Sequence, residues 1–139
     1  MKIKFLTLLM TMFFMPFVGN SQENSCADGF LFKTYRDVNP QINIQDVVID
    51  WDFSNVNNVQ NLTLVIEVQG LDNCWEELNG INRFALIKNS VENLSQNLKG
   101  TIRVEHLNIN SKCFKWRAVI SDATNSCVKT TDWEFKNFL

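Results

Sequence analysis

The chain has 139 residues with 13 basic and 15 acidic side chains, a formal net charge of −2. A balance this near neutral, with no clustered Lys and Arg, argues against a nucleic-acid partner and against an electrostatic hold on anionic membrane. With only five glycines, and neither a Gly-x-Ser-x-Gly elbow nor a glycine-rich phosphate loop, the chain also lacks the marks of the common hydrolases and nucleotide enzymes.

Lys2 and Lys4 precede an unbroken apolar run from Phe5 to Val18, and Gly19, Asn20 and Ser21 follow it. This is the pattern of a cleaved export signal, residues 1–21, leaving a domain of residues 22–139. The run is shorter than the roughly 18 to 20 residues that cross a bilayer, so no membrane insertion is expected once the signal is removed. Cys26 as a lipid anchor is a weaker reading, because Glu23, Asn24 and Ser25 before it are polar. Cleavage removes two of the thirteen basic residues and no acidic one. Eleven then stand against fifteen, a net charge of −4.

The remaining segments arrive as short strands between turn residues. Phe30 to Tyr35 is apolar at Phe30 and Phe32, and Pro40 ends it or marks an edge. From Asp46 to Phe53, Val47, Ile49, Trp51 and Phe53 share one face, with Asp50 and Asp52 on the other. An Asn-rich turn spans Ser54 to Asn61. Leu62 to Gln69 then points Leu62, Leu64, Ile66 and Val68 inward and Thr63, Glu67 and Gln69 outward, and Gly70 closes it. Cys74, Trp75 and Leu78 lie in an irregular stretch. Arg83 to Ile87 is another short strand, residues 88–99 form a loop or a helical turn, and Thr101 to His106 is a strand with Ile102 and Val104 inward.

The cleanest alternation runs from Cys113 to Ser121, where Phe114, Trp116, Ala118 and Ile120 share a face and Lys115 and Arg117 the opposite one. A tight connection at 122–126 leads to a last strand, Val128 to Phe135, carrying Trp133 and Phe135. About seven strands, with no amphipathic helix of ten residues or more, make an all-β antiparallel sandwich of two sheets.

Four cysteines, Cys26, Cys74, Cys113 and Cys127, suggest two disulfides in an exported chain, with three pairings open. Their spacing does not suit zinc, and the one histidine, His106, reads as a packed or half-exposed side chain rather than a base. No metal or other cofactor is expected. Asp50 and Asp52 are spaced for a calcium pair but read as a solvated face, as do Asp72, Glu76 and Glu77. Trp51, Trp116 and Trp133 have apolar neighbours and read as core. Trp75 stands among acidic residues in irregular chain and is the candidate exposed aromatic. Lys115 and Arg117, facing outward, form either a charge ladder with Glu67 and Gln69 or part of a protein-binding surface.

The segment Val48-Ile-Asp-Trp-Asp-Phe53, with its second-strand tryptophan, resembles the fibronectin type III and related immunoglobulin-like domains. So does Val104 to Val119, where Leu107 precedes a turn and Phe114 begins the alternation. The chain carries Ile109 where that family has a turn proline. Its single tyrosine, Tyr35, lies in the first strand, so a tyrosine corner is absent. The resemblance implies antiparallel pairing of the third and sixth strands, and through it the bridges Cys74–Cys113 and Cys26–Cys127. The first of these would need a bulge near Gly70 or Lys112 to bring Cys74 and Cys113 into phase. The expected function is binding rather than catalysis, at the cell surface or in the periplasm, with a protein partner. A module for surface polysaccharide using Trp75 is the alternative, and a small secreted enzyme ranks third.

Overall fold

Large apolar side chains recurring at every second position leave each strand with one dry face, and such faces are covered only by a second sheet. The computed structural model, which describes residues 26–38 and 45–139, meets that demand with eight strands. They are β1 (Leu31–Arg36), β2 (Val47–Asp52), β3 (Leu62–Leu71), β4 (Asn82–Val91), β5 (Lys99–Val104), β6 (Cys113–Asp122), β7 (Cys127–Thr130) and β8 (Glu134–Asn137). One helical turn, α1 (His106–Ile109), precedes β6. The expected export signal (1–21) and Pro40 lie outside the described residues.

The strands form two antiparallel sheets. One has the order β1-β2-β5; the other has β4-β3-β6-β7, with β8 pairing further along β6. The third and sixth strands pair without interruption from Leu62↔Asp122 to Leu71↔Cys113. Val47, Ile49 and Trp51 of the small sheet face Leu64, Ile66 and Val68 of β3 and Phe114, Trp116, Ala118 and Ile120 of β6 in one buried cluster. Phe32 closes on the Trp116 ring edge-on, with centroids 5.7 Å apart, and also meets Phe53. The Trp116 Nε1–H finds no acceptor among the described residues, a cost of about 1–3 kcal/mol that burial of the ring offsets.

Glycine decides one contact in the core. Gly100 on β5 pairs with Trp51, whose ring lies flat on its backbone, so a Cβ there would sit 2.2 Å from Trp51 Cζ2. The indole is held in place by its Nε1–H, which donates to the Asn97 carbonyl at 3.0 Å.

Cys74 is bonded to Cys113 and Cys26 to Cys127. These are the pairs the resemblance implied, and the second occupies the sulfur that a lipid anchor would need. The disulfide phase problem is solved without disturbing β3 and β6. Cys113 takes the outer phase of its strand, opposite Leu71, and Cys74 lies beyond the end of β3. The register shift falls between Val68 and Gly70, on the β4 side.

The about seven strands expected are eight among the described residues, because the last apolar segment divides into β7 and β8, both on β6. Four expectations need correction. Gly70 does not close its strand, which runs on to Leu71. His106 begins a helical turn instead of ending a strand. Residues 88–91 extend β4 rather than looping. Trp133 leaves the core: Phe135 pairs with Lys115, which puts Phe135 and its neighbour two residues back on the outer face.

Candidate functional site

Outer-facing positions of the larger sheet run in rows across β3, β6 and the last strands. Leu71 lies opposite Cys113, Gln69 opposite Lys115 and Phe135, and Glu67 opposite Arg117. Trp133 packs beside the last pair. Its ring lies 4.4 Å from the Arg117 guanidinium and 5.2 Å from the Lys115 ammonium. Arg117 Nε also donates to Glu67 at 2.7 Å, and Lys88 reaches the other carboxylate oxygen at 3.0 Å. Covered by these long side chains, Glu67 is only 4% exposed. Burial alone would raise its carboxyl, but the hydrogen bonds from Arg117 and Lys88 outweigh that and hold it below the usual carboxylate range. Lys115 and Arg117 thus spend their charge within the sheet, on Trp133 and Glu67.

Leu71 and Cys113 are fully buried although they point outward. Their cover is the loop of residues 72–81, which crosses the end of this face and reaches β8 through a 3-10 turn, Glu77–Asn79. Several ties fix the loop. The Asp72 N–H donates to the Ile81 carbonyl at 2.9 Å and closes its neck. Asn73 Oδ1 accepts the Trp75 N–H at 3.0 Å, a side-chain turn that starts the bend. The Cys74–Cys113 bridge anchors it to the sheet. Gly80 lies so close to the Asn73 carbonyl that a Cβ would come within 2.5 Å of the oxygen. Arg83 holds Asp72 from the start of β4 at 3.4 Å.

This tied loop lifts Trp75 into solvent, where it is 96% exposed. Such exposure excludes Trp75 from the Trp133 stack, so the structure brings Lys115 and Arg117 together and leaves Trp75 to a second patch. That patch continues along the chain through Leu78, Ile81 and Phe84, all exposed; Ile87, also exposed, pairs with the inward Val68 and lies on the other face. Phe84 owes its position to the bulge. Val68 pairs with Ile87 and Gly70 with Arg83, so Gln69 alone faces Phe84, Ala85 and Leu86. The Gln69 amide donates to the Arg83 and Phe84 carbonyls at 2.8 and 3.2 Å and pins the extra residues. Phe84 itself is held at φ +60°, a conformation that costs a bulky residue on the order of 1–3 kcal/mol. Arg83 stacks on its ring at 5.0 Å. In the sequence Phe84 reads with Leu86 as one side of the short strand 83–87; the bulge that interrupts that pattern is what sets it in solvent.

Beside the loop, at the same end of the sandwich, lies a groove of about 470 Å³. Its apolar lining includes Leu107 and Phe138, and its polar lining includes Asp72, Arg83, His106 and Lys112. Leu107 is 77% exposed at its mouth. His106 Nδ1 meets Asp46 at 3.3 Å. Burial acts to raise the Asp46 carboxyl, but hydrogen bonds from His106 and Arg103 keep it below its ordinary value.

The remaining sequence candidates are engaged otherwise. Asp52 pairs with Lys99 at 2.8 Å and accepts the Ser54 N–H at 2.8 Å, which brings its carboxyl down to about 2. Glu76 and Glu77 are exposed on the capping loop, directly after Trp75. Among the described residues no group of three or more His, Cys, Asp or Glu is placed to hold a metal ion, and no helix is long and apolar enough to cross a membrane. Compared with protein-family models, curated proteins and solved structures, the chain matches none of them.

Proposed function

We propose that this chain is an exported binding module of fibronectin type III-like architecture that works through protein contacts rather than catalysis. The pairing of the third strand with the fourth and sixth, and of the second with the first and fifth, supports the architectural part. Two disulfides suit an oxidising compartment at the cell surface or in the periplasm.

The observation that carries the reading is the exposed apolar segment of Trp75, Leu78, Ile81 and Phe84 on a loop and bulge held by named bonds. Exposed apolar side chains gathered in one region of a surface mark contact sites, and a site already rigid loses little entropy on binding. Two of the four, Leu78 and Ile81, are aliphatic. Aliphatic side chains give a sugar ring neither a stacking face nor a hydrogen bond, which favours a protein over a polysaccharide. Lys115 and Arg117, with their charges satisfied inside the sheet, serve this reading as supports for the face and not as its contact residues.

Two measurements test it. Proteins from the extracellular or envelope fraction are passed over the immobilised chain and over a Trp75→Ala/Phe84→Ala variant, and a partner retained only by the unaltered chain is expected. Tryptophan fluorescence is followed on adding a broad panel of polysaccharides, and no change is expected. A saturable shift abolished by Trp75→Ala refutes the protein reading in favour of a carbohydrate-binding module.

A further inference from the structure

We infer that the protein partner of this surface is a second copy of the same chain, with the Trp75 loop of each copy seated in the groove beside the loop of the other. The inference rests on the protein-contact reading above. Its basis is that the two features adjoin and carry opposite charges. The loop presents an indole 96% exposed, with Glu76 and Glu77 directly after it at the start of the 3-10 turn. The groove offers exposed apolar side chains at Leu107 and Leu139 and a cation at Lys112, beside the Asp72–Arg83 pair. The aromatic tip with its two carboxylates meets a groove that carries exposed apolar side chains and the Lys112 ammonium, and such matching sets both register and specificity. At about 470 Å³ the groove falls in the range of sites that take a side chain or small ligand, roughly 300–1,000 Å³.

Placement settles the symmetry. Asp72 and Cys74 belong to the loop and line the groove, so knob and hole adjoin on one face. A patch holding both a knob and its hole is self-complementary, and two copies then close by a two-fold axis with each contact made twice. The same arrangement keeps a loop out of its own groove, because the disulfide at Cys74 and the neck bond from Asp72 to Ile81 fix the direction in which Trp75 points. Two indoles and two phenyl rings, from Trp75 and Phe84 of each copy, bring on the order of 600–1,000 Å² to the contact at about 150–250 Å² each. That is about half of the roughly 1,200–2,000 Å² of a stable interface.

Sedimentation equilibrium of the oxidised protein, from micromolar to millimolar concentration, tests the inference. The expected result is a monomer–dimer equilibrium with a micromolar Kd. Trp75→Ala should weaken it by about 30-fold or more, the loss associated with a buried aromatic anchor. Glu76→Lys should weaken it about tenfold, and Lys112→Glu in the same chain should recover most of that loss. Trp75 and Lys112 are surface side chains, so unchanged circular dichroism serves as the folding control. A protein that stays monomeric throughout overturns the inference, as does a dimer indifferent to Trp75→Ala. If the chain is monomeric yet still retains a Trp75-dependent protein partner, the inference fails alone. A saturable polysaccharide shift sinks both readings.

Discussion

Removing the Arg117 guanidinium isolates the most buried charge among the described residues. Glu67, 4% exposed, accepts from Arg117 Nε at 2.7 Å and from Lys88 at 3.0 Å. Severing a fully buried pair costs about 3–5 kcal/mol. Arg117→Ala leaves Lys88 in place, and the Arg117 side chain is itself 32% exposed, so the loss of the pair is smaller, about 2 kcal/mol. The stack on Trp133 adds about 0.5–1 kcal/mol. The total, about 2–3 kcal/mol, corresponds to a fall in melting temperature of roughly 6–12 °C for a domain of this size. Urea and thermal unfolding with the disulfides intact measure it. The double variant Glu67→Met/Arg117→Met removes both charges together and should return to within about 1 kcal/mol of the parent, since no orphan charge remains. Acid titration gives an independent sign. The Glu67 pKa is depressed in the folded protein, so its stabilising contribution is complete above the ordinary carboxylate pKa and disappears as pH falls through the lower folded value. Arg117→Ala should therefore move acid unfolding to higher pH. An Arg117→Ala protein within about 0.5 kcal/mol of the parent, or a double variant as unstable as the single one, refutes the reasoning.

Gly100→Ala forces the Trp51 ring off its seat, and a loss of about 1–3 kcal/mol, with a change in tryptophan emission, should appear in urea unfolding. Cys74→Ala/Cys113→Ala opens a link across 39 residues and should cost roughly 4 kcal/mol, with protease nicking appearing first within residues 72–81. The Asp52 carboxyl should titrate at about 2 by NMR and move upward in Lys99→Ala; what it contributes is complete above the ordinary Asp value and lost as pH falls through about 2. Trp75→Ala should leave the unfolding curve within about 0.5 kcal/mol of the parent, because the ring is 96% exposed and packs on nothing.

Two-residue periodicity made β2, β3 and β6 legible, since each turns large apolar side chains to one side. It failed where a face is not defined by hydrophobicity. Trp133 sits outside because Arg117 and Lys115 offer its ring as good a surface as the core does, and alternation alone does not say which face is wet. Glu67 and Gln69 were rightly placed on the outer side, but their burial comes from neighbours on β4 and β6 and so leaves no mark on the local pattern. The bulge in β4 breaks the period just where Phe84 is set outward, which hid both the length of that strand and the exposure of that residue. Trp75 stood out by the opposite route: an aromatic among acidic residues, next to a cysteine, with no apolar face to join.

The ties at the N-terminal end bear on the order of folding. Lys129 of β7 donates to the Ala27 carbonyl at 2.8 Å and to Asp28 at 2.7 Å, and rests on the Phe30 ring, next to the bridge that joins Cys26 to Cys127 across 101 residues. Residues 26–30 are thus secured by residues synthesised about a hundred positions later. Contacts of such span form slowly, and until β7 has emerged the first strand waits without its clasp, open to the wrong thiol or to another chain's edge.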